Sequence, residues 1–164
     1  MKIKVIKKMI DYFQNDVKRI NHTLKVFDFA QIISEDEDLD KQTLDTISYA
    51  AILHDIGIKE AEKNYNSSIG RYQEIEGPPI ARKMLSDLKI DEKIINRVCL
   101  IIGNHHSYSK MEGIDFQIVI EADFLVNIFE DNMRKEAIEK INAKIFKTIY
   151  GRKLIKTMYL NEKK

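Results

Sequence analysis

The stretch Ala50-Ala51-Ile52-Leu53-His54-Asp55-Ile56-Gly57 joins four apolar residues to two titratable ones and ends in a glycine. His54 lies three residues after Ala51, and Asp55 lies four residues after it. In an α-helix these spacings place both polar side chains on or beside the stripe that faces the core. Apolar residues recur at helical spacing through nearly the whole chain, so the sequence predicts an all-α fold.

Capping residues and the few prolines and glycines predict where the helices begin and end. Asn15 or Asp16 is expected to cap the second helix. Gly57 is expected to cap the end of the third helix, and Pro78 and Pro79 fit the first turn of a later one. Residues 1–164 are expected to form one compact domain. The predicted helices cover about 2–14, 16–34, 40–57, 60–63, 78–88, 91–102, 116–131, 134–147 and 151–160.

Composition excludes several classes of protein. The chain has 164 residues, with 27 lysines and arginines against 26 aspartates and glutamates. This near balance gives no overall attraction to nucleic acid or to an anionic membrane, so no nucleic-acid surface is expected. No segment approaches the roughly 18 consecutive apolar residues of a membrane span, and one cysteine cannot form an intrachain disulfide. These features predict a cytoplasmic protein without a membrane partner, and they leave the oligomeric state open.

Two further titratable residues lie on apolar helical stripes. His22 shares a face with the apolar residues four, seven and eight positions later, and Asp123 lies within the apolar run 116–126. A buried, ionised carboxylate needs a cation or strong hydrogen bonds. Two imidazoles and two carboxylates that converge from three helices suit one divalent ion: Mn, Fe, Co, Ni or Zn, with Mg also allowed. The alternative is a set of core polar residues that are satisfied by hydrogen bonds without a metal.

These motifs resemble those of a known family. Residues 50–57 resemble the HDIG-type signature of the HD-domain superfamily of metal-dependent phosphohydrolases, and His22 resembles the superfamily's first histidine. Asp123 resembles its final aspartate. Residues 76–85 resemble the helix after the signature, and Asn104-His105-His106 resembles the paired histidines of many members.

The resemblance covers about residues 20–130, with the helices at 134–160 expected to pack on this core. It implies a single compact helical HD-domain fold and a hydrolase that acts on phosphate esters by means of a water activated by a divalent metal. The substrate class it implies is a small phosphomonoester, with nucleotides included. The metal ligands it implies are His22, His54, Asp55 and Asp123.

One departure from the superfamily's pattern bears on the number of ions. Two-metal members carry a further histidine between the signature and the paired histidines, whereas Gln73 stands at about that position here. A second ion would therefore depend on His105, His106 and a bridging Asp55. We expect a single tightly held ion.

Positions in the predicted fold indicate candidate catalytic and substrate-binding residues. Asp55, His105 and His106 are the expected catalytic residues, and one of the two histidines, with His105 preferred, is expected to bind the phosphate or protonate the leaving oxygen. Residues near the expected mouth are candidates for binding an anionic substrate. These are Lys59, Arg71, Gln73 and Arg82.

Two other functions use the same residues. A regulatory module that holds a nucleotide at the metal site without efficient turnover would keep the same ligand set. Metal-dependent oxidation occurs in a diiron oxygenase branch of the superfamily, but the missing histidine and the lack of an evident second site argue against it.

Overall fold

The computed structural model of the protein describes residues 1–161. Every regular element among these residues is helical, which confirms the predicted all-α class. The α-helices are α1 Lys2–Phe13, α2 Val17–Glu35, α3 Lys41–Leu53, α4 Ile58–Tyr65, α5 Gly70–Asp87, α6 Glu92–Ile102, α7 Ile114–Glu130, α8 Lys135–Lys144 and α9 Ile149–Ile155. A 3-10 turn covers Tyr108–Lys110, and a π-helical turn, Lys156–Leu160, follows α9.

Side-chain caps start three of these helices where the sequence predicts them. The carboxylates of Asp16, Asp40 and Asp91 accept hydrogen bonds from backbone N–H groups in the first turns of α2, α3 and α6. Each cap satisfies a donor that has no partner within its own helix. The starts of α2 and α3 matter most for function, because these helices carry or lead into the residues 22 and 54–55.

Two predictions about α5 and α4 are wrong. Pro78 and Pro79 lie in the middle of α5 and not in its first turn, because the helix already begins at Gly70. The helix continues through the prolines without the two backbone hydrogen bonds that they cannot donate. The short helix expected at 60–63 is also longer, since α4 covers Ile58–Tyr65.

Gly57 has a different role from the one predicted. The helix before it ends at Leu53, and Gly57 has a right-handed backbone (φ −75°), so it is not a left-handed helix cap. A Cβ at Gly57 would instead lie 2.4 Å from the carbonyl oxygen of Gln73 and 2.6 Å from the backbone nitrogen of Gly77. Glycine is required here because the backbone of α5 passes directly against the turn that carries His54 and Asp55.

Helices α2, α3 and α7 pack against one another at the centre of the fold. The buried apolar residues form one cluster to which α1–α3 and α5–α9 all contribute. Within residues 1–161, no helix is both long enough and apolar enough to cross a membrane.

Candidate metal centre

The central three helices bring together four of the titratable residues predicted from the sequence. His22 lies on α2 and Asp123 on α7, and both are buried. His54 and Asp55 lie in the turn directly after α3, where His54 is only 1% exposed. The fold thus places two imidazoles and two carboxylates at one point.

The four side chains approach through one atom each. The Nε2 atoms of His22 and His54 are 3.2 Å apart. Oδ1 of Asp123 lies 3.2 Å and 3.6 Å from these two nitrogens. Oδ2 of Asp55 lies 3.5 Å and 3.4 Å from them.

These separations fit a shared cation. Ligands about 2.1 Å from a tetrahedral Zn²⁺-sized ion lie about 3.4 Å from one another. The separations of 3.2–3.6 Å between the nitrogens and the carboxylate oxygens bracket that value. Two ring nitrogens at 3.2 Å either share a proton or face a common cation, because two lone pairs repel. The donor set suits a divalent transition metal.

Hydrogen bonds on the far sides of the rings fix which nitrogen faces the cluster. Nδ1 of His54 donates to the backbone oxygen of Ala51 at 2.9 Å. Nδ1 of His22 lies 2.9 Å from Oε2 of Glu130 and donates to that carboxylate. In both rings the remaining nitrogen, Nε2, points at the cluster, which is the arrangement found around protein-bound metals.

Charge within the cluster shifts the pKa of its members. Burial alone would lower the pKa of His54, but Asp55 and Asp123 raise it well above its usual 6.5. Burial would also lower the pKa of His22, but the hydrogen bond with Asp123 and the charges of Asp123 and Asp55 together outweigh it, so the pKa rises. Burial would raise the pKa of both aspartates, yet the neighbouring histidines hold it below the usual 3.8. In the metal-free protein, two carboxylates are therefore balanced by protonated imidazole.

His105 and His106 lie beside this cluster, in the turn after α6. Nδ1 of His105 donates to the backbone oxygen of Ile102 at 2.7 Å, and its buried Nε2 has no hydrogen-bond partner among residues 1–161. That Nε2 lies 3.5 Å from Oδ1 of Asp55. Asp55, His105 and His106 offer a second group of three potential ligand atoms within 4.8 Å of one another. The expectation of a single ion therefore stays a prediction.

Gln73 does contact the site. Its side-chain nitrogen donates to the backbone oxygen of Ser68 at 2.6 Å, so its oxygen faces Nε2 of His106 at 3.2 Å and accepts from it. His106 thus carries its proton on Nε2 and presents Nδ1 as an acceptor. Burial, followed by the neighbouring charge of His105, lowers the pKa of His106 to about 4, so this ring is neutral at pH 7.

An open cavity of about 250 Å³ lies over the cluster, and His22, Asp55 and Gln73 form part of its wall. A larger cavity of about 600 Å³ lies between α1, α4 and α5 and is lined by none of the clustered residues. We therefore take the smaller cavity, which is lined in part by the clustered residues, as the mouth of the centre. Its rim carries Lys18 and Arg19.

The predicted cationic residues lie elsewhere. Lys59 donates to the backbone oxygen of Tyr12 at 2.9 Å and lies over the Tyr12 ring. Arg82 pairs with Glu92 and with Asn96. Arg71 is exposed on α5 and, like the other two, is not among the residues that line the mouth. Of the predicted substrate-binding residues, the structure brings only Gln73 to the site.

Helical spacing contains a signal for four residues that the sequence analysis missed. Asn127 and Glu130 follow Asp123 by four and seven positions on α7, and Asn127 donates to Oδ1 of Asp123 at 2.8 Å. Lys18 and Arg19 precede His22 by four and three positions on α2. Residues with these spacings share a helix face, so a search along the faces of His22 and Asp123 would have found them.

Comparison with known proteins identifies the family of the chain. Residues 19–149 match the HD domain family, and the chain therefore belongs to that family. Its fold is similar to the crystal structure of a predicted HD superfamily hydrolase from an uncultured Thermotogales bacterium, with a TM-score of 0.68 and 23% sequence identity. That match covers 95% of this chain and 83% of the other. A search of curated proteins gave no match.

Proposed function

We propose that the protein is a metal-dependent phosphohydrolase whose divalent ion is held by His22, His54, Asp55 and Asp123. The observation that carries this proposal is that the Nε2 atoms of His22 and His54 lie 3.2 Å apart, and each lies 3.2–3.6 Å from an oxygen of Asp55 and of Asp123, below an open cavity. A divalent ion in such a site lowers the pKa of a coordinated water and polarises a phosphoryl oxygen.

Two cations on the rim of the cavity, Lys18 and Arg19, are available to an anionic substrate beside the carboxylates of Asp16 and Asp131. Arg19 is held by Asp16, whose Oδ2 accepts from Nη1 at 2.7 Å, and by Glu62, whose Oε1 accepts from Nη2 at 2.5 Å. These two carboxylates hold the guanidinium at the mouth. Guanidinium groups form paired hydrogen bonds with phosphate. We assign Arg19, with Lys18 beside it, to the substrate phosphate.

The paired histidines divide the proton chemistry between them. Nε2 of His105 is buried without a partner in the described chain and faces the cluster. Because Nδ1 already donates to the Ile102 oxygen, Nε2 would donate to a phosphate or leaving oxygen from the doubly protonated ring, and we assign it that role. His106 is neutral at pH 7, with its proton engaged by Gln73, and offers an acceptor nitrogen. The substrate proposed is a small phosphomonoester, and nucleotides are the first class to assay.

Substitution of Asp55 tests the assignment. The protein is stripped of metal, reloaded separately with Mn, Co, Ni, Fe, Zn and Mg, and assayed against nucleotides and other phosphomonoesters. Asp55→Ala should lose both retained metal and turnover while its helical circular dichroism persists, since Asp55 lies in a turn and not within a helix. Asp131→Ala, which removes an exposed carboxylate at the rim, is the control and should keep both.

The outcomes separate the competing functions. Full metal content in Asp55→Ala would show that the ligand assignment is wrong. Retained metal and tight nucleotide binding without product, across all the metals, would favour the regulatory module over the enzyme.

A further inference from the structure

The histidines of the centre differ in what holds their outer nitrogens. His54 and His105 donate from Nδ1 to the backbone oxygens of Ala51 and Ile102. His22 donates from Nδ1 to a carboxylate, that of Glu130. Backbone oxygens are fixed by the helices that contain them, whereas a glutamate side chain must itself be held in place.

Glu130 is held from a second direction. It lies at the end of α7, seven residues after Asp123, and its Oε1 accepts from the ammonium group of Lys25 on α2. The Glu130 side chain is 15% exposed, while that of Lys25 is 46% exposed. The carboxylate therefore bridges a surface lysine and a buried histidine, and both of its oxygens are used.

We propose that Glu130, held by Lys25, is a positioning residue that fixes His22 with Nε2 toward the metal and sets the affinity of the centre. This inference rests on the ligand role proposed above for His22. Glu130 itself need not contact the ion or the substrate.

Position and charge both support this role. His22 lines the open mouth, so neighbouring side chains enclose its ring less completely than that of His54. A half-turn of the His22 ring about its bond to Cβ would point carbon instead of Nε2 at the cluster, and the bond to Glu130 opposes that turn. A carboxylate on the outer nitrogen also makes the inner nitrogen a stronger ligand, and loss of such a partner costs about 10–100-fold in metal affinity.

Cobalt binding measures the effect directly. The metal-free 164-residue protein is titrated with Co²⁺ in the wild type and in the variants Glu130→Gln and Glu130→Ala. Binding is read by visible absorbance, with competition from a chelator. Glu130→Gln keeps an acceptor for Nδ1 of His22 but loses the charge, so we expect a dissociation constant about 10-fold higher than that of the wild type. Glu130→Ala loses both the acceptor and the charge, and its dissociation constant should be about 100-fold higher than that of the wild type. Asp131→Asn removes the same charge one residue away and should leave the affinity unchanged.

A second measurement separates positioning from a general loss of structure. In the Zn²⁺-loaded protein, nitrogen-15 NMR of the imidazoles identifies which nitrogen binds the metal. We expect Nε2 of His22 to bind in the wild type and in Glu130→Gln, and a mixed or lost signal in Glu130→Ala with the His54 signal unchanged.

Each outcome is decisive. If the wild type binds no Co²⁺, the proposed function fails. If the wild type binds Co²⁺ and Glu130→Gln and Glu130→Ala bind it equally well, the ligand set stands and the role of Glu130 is wrong. If Asp131→Asn weakens binding as much as Glu130→Gln does, the net charge of the mouth is responsible and the contact with His22 is not.

Discussion

Binding of a divalent ion at this centre should release protons. In the metal-free protein, the pKa of His54 is raised well above 6.5, since Asp55 and Asp123 outweigh the effect of burial. Its Nδ1 proton is bonded to the Ala51 oxygen, so the acidic proton that must leave is the one on Nε2. The pKa of His22 is also raised. Metal binding at pH 7 should therefore displace about one to two protons.

The number of protons can be measured by titration calorimetry. Zn²⁺ is added to the metal-free protein at pH 7 in buffers of different ionisation enthalpy, and the slope of observed heat against that enthalpy gives the protons released. We expect a slope of about one to two and an affinity that rises by about 10–100-fold per pH unit below the pKa of His54. A slope of zero, with affinity flat from pH 6 to 8, would refute the assignment of a protonated His54–carboxylate cluster.

Stability should depend on pH in a linked way. A raised pKa in the folded state contributes stability that is complete below the unfolded value of 6.5 and is lost as pH rises through the folded pKa. The metal-free protein should therefore become less stable to urea above pH 6.5, while metal-loaded protein gains stability because the affinity rises. Increasing stability of the metal-free protein over that range would contradict the sign of the His54 shift.

Two further predictions concern the framework. Gly57→Ala forces a methyl group against the backbone of α5 and should lower the free energy of unfolding by about 3 kcal/mol or more. Gly77→Ala should lower it by less, because the new methyl group comes closest to the Ile102 side chain, at 2.7 Å. Equal urea midpoints for the two variants would show that the close approach at Gly57 is not rigid. Glu121→Ala should lower the free energy of unfolding by about 3–5 kcal/mol. The buried Glu121 carboxylate accepts hydrogen bonds from the backbone N–H groups of Lys147 and Thr148 and from the Thr148 hydroxyl. Glu139→Ala, on the exposed face of α8, is the control, and equal unfolding temperatures for the two variants would contradict the stabilising role of Glu121.

The convergence of four titratable side chains was predictable because helical periodicity determines which residues face the core. His22, His54, Asp55 and Asp123 are polar interruptions of apolar stripes, and a stripe that faces the core brings its interruptions to the core as well. The all-α class followed from the same periodicity. The family assignment followed from the signature at 50–57 and the matched residues around it.

Residues that act through side-chain reach were less predictable. Lys59 and Arg82 lie close in sequence to the signature and to the helix after it, but a long cation pairs with whichever acceptor lies nearby, here the Tyr12 oxygen and Glu92. The position of the prolines in α5 was also predicted wrongly, because packing outweighed a local preference. A Pro pair is favoured in a first turn by local energetics, yet packing of α5 against α4 and α6 carries the helix through Pro78 and Pro79.

That proline pair divides α5 into two mechanical parts. Pro78 and Pro79 cannot donate the hydrogen bonds that would tie the two halves together. The first half carries Gln73 and Glu74, which hold His106 and Ser107, while the second half belongs to the core. The helix can therefore bend at this joint without breaking further backbone bonds. A small bend at this joint would move the turn of His105 and His106 together with Gln73 and Glu74. Because Gln73 and Gly77 lie directly against Gly57, the same bend would also displace the turn that carries His54 and Asp55.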